Sequence, residues 1–215
     1  MRDHTLVLGW NAQAEIAARE LLAAGLEVLV VADASTLPVD HPHAHFVRGD
    51  PADGSVLSRA YPESARAALV CLGDDGATVM AVIALRHLRP DLPVACLAQS
   101  ARARGALADL GVHAVLPVDE LVGHALAKSV EAPHAGELLL RLVDSPSYRV
   151  REVPAQAVGP GTTLGHLRER SGLPLILGVV HDRQVRIGAR VDVPLAEGDR
   201  LLILEPSDTE GVRPD

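Results

Sequence analysis

The stretch LGWNAQA at residues 8–14 decides the fold prediction for this chain. It separates a short apolar run from an amphipathic stretch, so it predicts the turn from a first strand into a first helix. Dinucleotide-binding folds carry G-x-G-x-x-G/A at this place, because glycine permits the tight turn and the close approach of a pyrophosphate. Gly9 and Ala14 fit the first and last positions, whereas Asn11 replaces the middle glycine. The stretch predicts a degenerate phosphate-binding turn.

Runs rich in Val, Leu and Ala recur through the first half of the chain and predict strands. They lie at Thr5–Leu8, Glu27–Ala32, His45–Arg48, Ala67–Leu72, Pro93–Ala98 and His113–Pro117. Helical patterns separate the runs: the first stops at Gly25, the fourth covers Ala77–Leu88, and the fifth can be capped by Ser100 and ended by Gly111. A strand about every twenty residues with helical crossovers predicts right-handed βαβ units and a Rossmann-like, doubly wound parallel sheet.

The pattern changes after the sixth strand. A crossover helix is predicted at Asp119–Val130, followed by a hinge at 131–136, so the nucleotide-binding domain takes residues 1–132. Residues 133–207 predict a small α+β domain, with a Gly-Pro-Gly loop at 159–161, and residues 208–215 a tail. The elements expected in the second domain are strands at Tyr148–Val153, Leu175–Val180, Gln184–Ile187 and Arg200–Leu204, and a helix at Leu164–Glu169.

Composition excludes several classes of function. The chain has 215 residues, 48% of them hydrophobic but only 2% aromatic, and a formal net charge of -8. Nucleic-acid binding needs cationic stripes or aromatic stacking platforms, so we do not expect it. Apolar runs fall short of the roughly 18 to 20 residues that span a bilayer, and a strand already starts near Thr5. We expect a cytoplasmic protein.

Acidic and glycine residues follow four of the predicted strands. Asp33 ends the second strand about twenty residues after the turn, where a carboxylate accepts both ribose hydroxyls and repels a 2′-phosphate. NADP is therefore disfavoured. Asp50 and the run Gly73-Asp74-Asp75 also lie at strand C-termini, where open α/β sheets bind ligands. The alternatives are structural: Gly9 as a simple turn, Asp50 or Asp53 as cap of the third helix, and Asp74 or Asp75 as cap of the fourth.

Several segments in order along the chain resemble the RCK or KTN family, the regulators of potassium conductance, with their TrkA-N and TrkA-C domains. The segments are GWN at 9–11, Asp33, HFVRGDP at 45–51, GVHAVLP at 111–117 and PLAEGDRL at 194–201. The resemblance covers nearly the whole chain. It implies that Gly9, Trp10 and Asn11 lie against the phosphates of NAD(H), ATP or ADP, with Asp33 at the ribose and Asp50 near the adenine.

The resemblance implies a ligand site and a partner. The expected ligand-binding residues are Gly9, Trp10, Asn11, Ala12, Gln13, Asp33, Gly49, Asp50, Gly73 and Asp74. The nucleotide is a ligand, not a redox cofactor, in a non-enzymatic subunit that gates a potassium channel or transporter. The subunit is expected to form a homodimer through the crossover helix, and the dimers are expected to assemble into a larger gating ring. It is expected to be cytoplasmic and to lie at the inner face of the cell membrane only because it binds the membrane-embedded channel or transporter. Whether a pore module is fused upstream or separate stays open.

Two ligand sites known in the family receive little support. The positions of the acidic calcium ligands hold Cys71, Leu97 and Gln99, so the calcium site is expected to be missing. Related second domains bind cyclic dinucleotides. Arg149 and Arg151 share one face of a strand and are loose candidates for such a site, although charges guarding an edge strand explain them equally well.

The residues leave two other readings open. His41, His43 and His45 alternate, so on an extended strand they would project from one face, as the ligands of a metal site do. The neighbouring prolines favour a loop instead, and no metal site is predicted. The alternative function is an NAD-dependent oxidoreductase acting on a small molecule, because the same fold serves dehydrogenases. Lys128 has no tyrosine four residues before it, and the serines lack a nucleophile-elbow context, so no catalytic residue is assigned.

Overall fold

A computed structural model describes residues 1–33, 39–132, 134–143, 147–155, 163–169, 175–182, 184–187 and 194–206. It divides into two compact units, Met1–His124 and Ala125–Asp215. The predicted domain boundary near residue 133 stays a prediction, since Pro133 itself lies outside the described residues.

The first unit is built on a parallel sheet. Its strands are β1 His4–Leu8, β2 Val28–Ala32, β3 Ala44–Arg48, β4 Ala65–Val70, β5 Val94–Ala98 and β6 Ala114–Pro117. Among the described residues these six pair in parallel in the order β3-β2-β1-β4-β5-β6. The order reverses at β1, as in a doubly wound sheet, and the predicted fold class is confirmed. Ligand sites in such sheets lie at the carboxyl ends of the strands next to this reversal.

Helices connect most of these strands. The connecting helices are α1 Ala12–Ala23, α2 Gly54–Ser58, α3 Asp75–Leu88 and α4 Ala101–Asp109, with a 3-10 turn at Pro62–Ser64, and α5 Val118–Glu131 follows β6. Side chains at the N-caps accept amide hydrogen bonds at four of these helix starts, and Ser100 caps α4 as predicted. Residues 39–43 form a loop and turn, so the loop that the prolines beside the alternating histidines predicted is confirmed there, and the helix that a strict β-α alternation implied between β2 and β3 is wrong for them. Residues 34–38 are outside the described part.

The core of the first unit consists of aliphatic side chains on the two faces of the sheet. One face packs Leu6, Leu8 and Leu85, all fully buried, under α2, α3 and α4. The other packs Val7 and Val30 against α1. Full burial of each such side chain contributes about 1.5 to 3 kcal/mol. All five residues of β1 are buried, so this strand is the centre of the sheet and its carboxyl end is held firmly.

The second unit contains an antiparallel sheet. Its elements are α6 Ala135–Val143, β7 Tyr148–Pro154, α7 Leu164–Glu169, β8 Leu175–His181, β9 Gln184–Ile187 and β10 Arg200–Pro206. The described strands pair in the order β7-β10-β8-β9, and their predicted positions are confirmed to within two residues. The loop predicted at 159–161 lies outside the described residues. Sequence reasoning missed α6, although Leu138-Leu139-Leu140 behind Gly136 carries a helical apolar pattern.

A turn before β10 explains the PLAEGDRL segment. Asp199 is 6% exposed; its Oδ2 accepts a hydrogen bond from the Ala196 amide at 2.8 Å, and its Oδ1 lies 2.6 Å from Nδ1 of His181. Burial pushes the pKa of Asp199 upward, but these hydrogen bonds outweigh it and hold the pKa below its usual value. The aspartate therefore joins the turn to β8.

No helix in the described part of the chain is both long enough and apolar enough to cross a membrane.

Candidate functional site

The turn between β1 and α1 accepts only glycine at position 9. Gly9 has φ +88, and a Cβ built there would stand 2.6 Å from the carbonyl oxygen of Cys71 and 2.5 Å from Cδ2 of Leu72. Its amide donates to the carbonyl of Val31 at 2.8 Å. The turn therefore packs against the end of β4 and is bonded to the end of β2, which holds it at the carboxyl edge of the sheet.

The side chain of Asn11 performs a structural task. Its Oδ1 accepts the amide of Ala14 at 2.9 Å and caps α1, while its Nδ2 donates to the carbonyl of Cys71 at 3.1 Å. The residue that replaces the middle glycine of the fingerprint thus fastens the helix start to β4. What remains available to a ligand at this position is the backbone.

The start of α1 presents unused amide groups. Among the described residues, no hydrogen bond engages the backbone N–H of Ala12 or Gln13. The helix macrodipole adds a partial positive charge at the same end, so the two amides and the dipole suit a phosphate group. Trp10 is half-buried beside this helix start and packs against the core on the α1 side of the sheet. In the sequence Trp10 directly precedes Asn11, the residue that caps α1.

Asp33 lies directly after β2, at the end of the strand next to β1. Its side chain is 80% exposed, and its Oδ1 lies 3.9 Å from Nε of Arg48 at the end of β3. An exposed carboxylate at this position has free lone pairs for ribose hydroxyls. Sequence reasoning missed Arg48, because the pairing of β2 with β3, which brings the two side chains together, is a tertiary fact.

The segment after β3 is a tight turn into α2. A Cβ on Gly49 would stand 2.7 Å from Cγ2 of Val56, and the Gly49 amide donates to Ala32 O at 3.1 Å. Oδ1 of Asp50 accepts the amide of Ala52 at 2.8 Å within the turn. Among the described residues no hydrogen bond engages its other carboxylate oxygen, which is therefore accessible to solvent or a ligand.

Capping of α2 falls to Asp53, the second of the two candidates for that helix. The Ser55 side chain and amide hydrogen-bond the Asp53 carboxylate and lower its pKa. Asp50 forms the preceding turn and does not cap α2.

The acidic pair after β4 serves the loops of the sheet. Oδ1 of Asp74 accepts the amide of Ala77 at 2.8 Å and caps α3, as the structural alternative held. Asp75 accepts the amides of Gln99 and Ser100 at 2.8 and 3.0 Å, and these bonds lower its pKa. The side chain of Gln99 in turn donates to Gly73 O at 2.7 Å. These contacts join the loop after β4 to the loop after β5.

The structure brings most of the predicted ligand residues to one edge of the sheet. The turn at Gly9, the carboxylate of Asp33 and the turn at Asp50 follow β1, β2 and β3, three neighbouring strands, and Gly73 follows β4 on the other side of β1. An elongated nucleotide laid along this edge would place its phosphates at α1 and its ribose at β2. The individual ligand contacts stay predictions.

Two of the three alternating histidines contact a carboxylate. Nδ1 of His43 and Nε2 of His45 lie 2.7 and 3.0 Å from the two oxygens of Glu27, whose pKa is lowered by these hydrogen bonds. Nδ1 of His41 accepts the amide of His43 at 3.2 Å. Across the residues that the structure describes, no group of three or more His, Cys, Asp or Glu side chains is placed to hold a metal ion.

Both cysteines are free and buried, and burial raises the pKa of Cys71 and of Cys96 to about 11. They belong to the core layers on opposite faces of the sheet. Neither thiol is suited to nucleophilic chemistry in the folded state.

Two arginines of β7 pair with one carboxylate. Arg149 and Arg151 lie 2.8 and 3.0 Å from Oε1 of Glu205 on β10 and lower the pKa of Glu205. Since β7 is at the edge of its sheet, these charges fit the guarding of an edge strand. Because both guanidinium groups contact Glu205, Arg149 and Arg151 are less available to a ligand than the sequence indicates.

The parallel sheet and the glycine turn between β1 and α1 define a Rossmann-type α/β protein. The TrkA-N domain family matches residues 5–117, more than half of the chain. This protein therefore belongs to the TrkA-N family, which confirms the resemblance for the first unit.

Solved structures share the fold. The TrkA-N domain of the inner membrane protein ybaL from Escherichia coli is 16% identical, with a TM-score of 0.56, and the match covers 60% of this chain and 96% of that one. The GsuK channel bound to NAD is 20% identical, with a TM-score of 0.53, over 96% of this chain and 38% of that one. The human SLO3 gating ring is 12% identical, with a TM-score of 0.66, over 94% and 44%.

GsuK also matches in a structure bound to ADP, at 22% identity and a TM-score of 0.52 over 57% of this chain and 33% of that one. This chain thus spans less than half the length of the channel and gating-ring chains it matches.

Proposed function

We propose that this chain is a nucleotide-sensing regulatory subunit or domain, without catalytic activity of its own, that gates a potassium channel or transporter. The observation that carries the proposal is the turn at Gly9. It presents the amides of Ala12 and Gln13 at a helix start, with Asp33 at the next strand end. The ligand is NAD(H), ATP or ADP, in keeping with the two nucleotides bound to GsuK.

Regulation follows from differential binding. A nucleotide that binds one arrangement of paired subunits more tightly than another shifts the population toward that arrangement, by no more than the difference in its binding free energies. The shift would be passed to a membrane partner, and the protein would lie at the cytoplasmic face of the membrane through that partner. The gating-ring neighbours support this assignment.

Helix α5 supports an assembly of several subunits. None of its residues is buried, and Leu121, Val122 and Leu126 are 61, 52 and 65% exposed. A helix with an uncovered apolar face is stabilised by packing against another chain. We propose a homodimer through α5 that assembles into a larger ring. A chain that stays monomeric at high concentration, with and without nucleotide, in light-scattering measurements would contradict this.

The ligand is tested by titration. NADH, NAD, ATP and ADP are added while the fluorescence of Trp10, the only tryptophan, is followed, with calorimetry in parallel. Asp33→Ala should weaken the bound nucleotide by about 1 to 3 kcal/mol, because the ribose hydrogen bonds are lost. Asp109→Ala is the matched control: this residue ends α4 at the amino-terminal edge of the sheet, away from the site. No saturable signal and no heat with any nucleotide would overturn the proposal.

A second experiment separates a regulator from an oxidoreductase. The protein is incubated with NADH and a panel of small carbonyl compounds, and the absorbance of NADH is followed. A regulator leaves the absorbance constant. Steady turnover would replace the regulatory proposal with the enzymatic one.

A further inference from the structure

Arg48 is a cation beside the proposed ribose position that the phosphate-binding turn does not use. It ends β3 and is in register with Ala32, the residue before Asp33, on β2. Its Nε lies 3.9 Å from Oδ1 of Asp33. The carboxylate and the guanidinium therefore stand side by side at two neighbouring strand ends.

The main chain of Arg48 is held while its side chain is left accessible. Nη2 of Arg59 donates to the Arg48 carbonyl at 2.8 Å, and the next residue, Gly49, donates its amide to Ala32 O at 3.1 Å. The side chain of Arg48 nevertheless stays 66% exposed. Ion pairs between such exposed groups contribute little to stability, so the guanidinium can leave the carboxylate for a ligand at small cost.

The two groups recognise different substituents of one ribose carbon. A carboxylate accepts hydrogen bonds from the 2′-hydroxyl, whereas a guanidinium forms paired, charge-assisted hydrogen bonds with a phosphate. Asp33 alone would repel a 2′-phosphate, which is why the sequence disfavours NADP. The structure adds a cation at that position, and Arg59, whose guanidinium reaches the Arg48 carbonyl, adds a second positive charge close by.

We propose that Arg48 is a specificity-determining residue whose guanidinium binds the 2′-phosphate of NADP(H), so that the site takes both NADH and NADPH. Asp33 serves the ribose of the first and Arg48 the phosphate of the second. This inference rests on the proposed function, which places the adenosine ribose at Asp33.

The test compares NADH with NADPH by calorimetry on the wild type, Arg48→Leu and Arg66→Leu. Arg66 is the control, because it is an exposed arginine near the amino end of β4, at the opposite edge of the same sheet, and its loss changes the net charge equally. The wild type should bind the two nucleotides within about tenfold of each other. Arg48→Leu should weaken NADPH about tenfold or more, the range for a lost hydrogen bond to a charged group, and NADH less than about threefold. Arg66→Leu should change neither.

A second variant should change the preference between NADPH and NADH in the direction opposite to Arg48→Leu. Asp33→Ala removes the repulsion, so it should raise the affinity for NADPH relative to NADH. Adenosine 2′,5′-bisphosphate and 5′-AMP, which differ only in the 2′-phosphate, repeat the comparison without the nicotinamide half.

The outcomes are distinguishable. The role of Arg48 is wrong if the wild type binds NADPH about a hundredfold more weakly than NADH. It is also wrong if Arg48→Leu weakens the binding of both dinucleotides equally or of neither. In each of these cases the proposed nucleotide site itself stands. If neither dinucleotide nor ATP or ADP binds the wild type, the proposed function fails and the role of Arg48 fails with it.

Discussion

Replacing Gly9 with alanine introduces two separate costs at the turn between β1 and α1. The first is conformational: φ +88 lies in the left-handed region, which costs a residue with a Cβ about 1 to 2 kcal/mol. The second is steric, because the new methyl group would stand 2.5 to 2.6 Å from Leu72 Cδ2 and the Cys71 carbonyl oxygen. Leu72 can change rotamer, but the carbonyl belongs to the backbone at the end of a central strand.

Overpacking of this kind costs about 1 to 3 kcal/mol, so Gly9→Ala should lower the free energy of unfolding by about 2 to 5 kcal/mol in total. The assay is urea denaturation at neutral pH, followed by far-UV circular dichroism. Because a domain of this size is stable by only about 5 to 15 kcal/mol, the change in midpoint should be large.

Gly25→Ala is the matched control. Gly25 has φ +75, close to that of Gly9, but a Cβ there would meet no atom within 4 Å. It reports the conformational cost alone, about 1 to 2 kcal/mol. If Gly9→Ala is no more destabilising than Gly25→Ala, the close approach of the turn to β4 does not exist and the reasoning about the turn is refuted.

Three further predictions concern the first unit. His4 is fully buried, and no described residue hydrogen-bonds its Nδ1. Burial lowers the pKa of His4, so its contribution to stability should be complete above the unfolded-state pKa of about 6.5 and be lost as the pH falls below it. His4→Leu should flatten this pH dependence of the denaturation midpoint. Asp74→Ala should cost about 1 kcal/mol of unfolding free energy through loss of the α3 cap, and Asp74→Asn should retain most of it. Cys71 and Cys96 should resist alkylation at pH 8 until the protein unfolds, as followed by mass spectrometry.

Each of these predictions has a contradicting result. A pH slope unchanged by His4→Leu would assign the acid sensitivity to other groups. Equal losses for the alanine and asparagine variants of Asp74 would show that its side-chain oxygen does not act as the cap. Alkylation of the native protein at the rate of a free thiol peptide would place a cysteine at the surface.

Much of the first unit follows from local patterns. The apolar runs, the stop at Gly25 and the cap at Ser100 are encoded within a few residues, so the strands were predicted to within two residues at their ends. The β-α alternation implied a helix between β2 and β3, which is wrong for residues 39–43; the prolines and alternating histidines there carry no helical apolar period, and the loop that they favour is what forms. Helix α6 was missed because the hinge signal of its first residues masked the leucines that follow.

In the candidate site, too, some features follow from local sequence and others depend on contacts between distant parts of the chain. Glycine at position 9 and a carboxylate at position 33 could be assigned from spacing, since a βαβ unit sets both distances along the chain. The contact of Asn11 with Cys71 and those of Asp75 with Gln99 and Ser100 could not be assigned, because the partners lie at least 24 positions away in the chain. Local sequence cannot tell an aspartate that faces a ligand from one that holds a neighbouring loop.

The sequence by itself determined the parallel α/β fold, the position of the glycine turn between β1 and α1, and the carboxylate at the second strand end. These depend on periodicity and on residue type within one βαβ unit. The tertiary structure alone decided that Arg48 stands beside Asp33 and that the Gly9 turn packs on Cys71. Strand pairing makes these neighbours: the register of β3 on β2 and of β4 on β1 arises from the packing of the whole sheet.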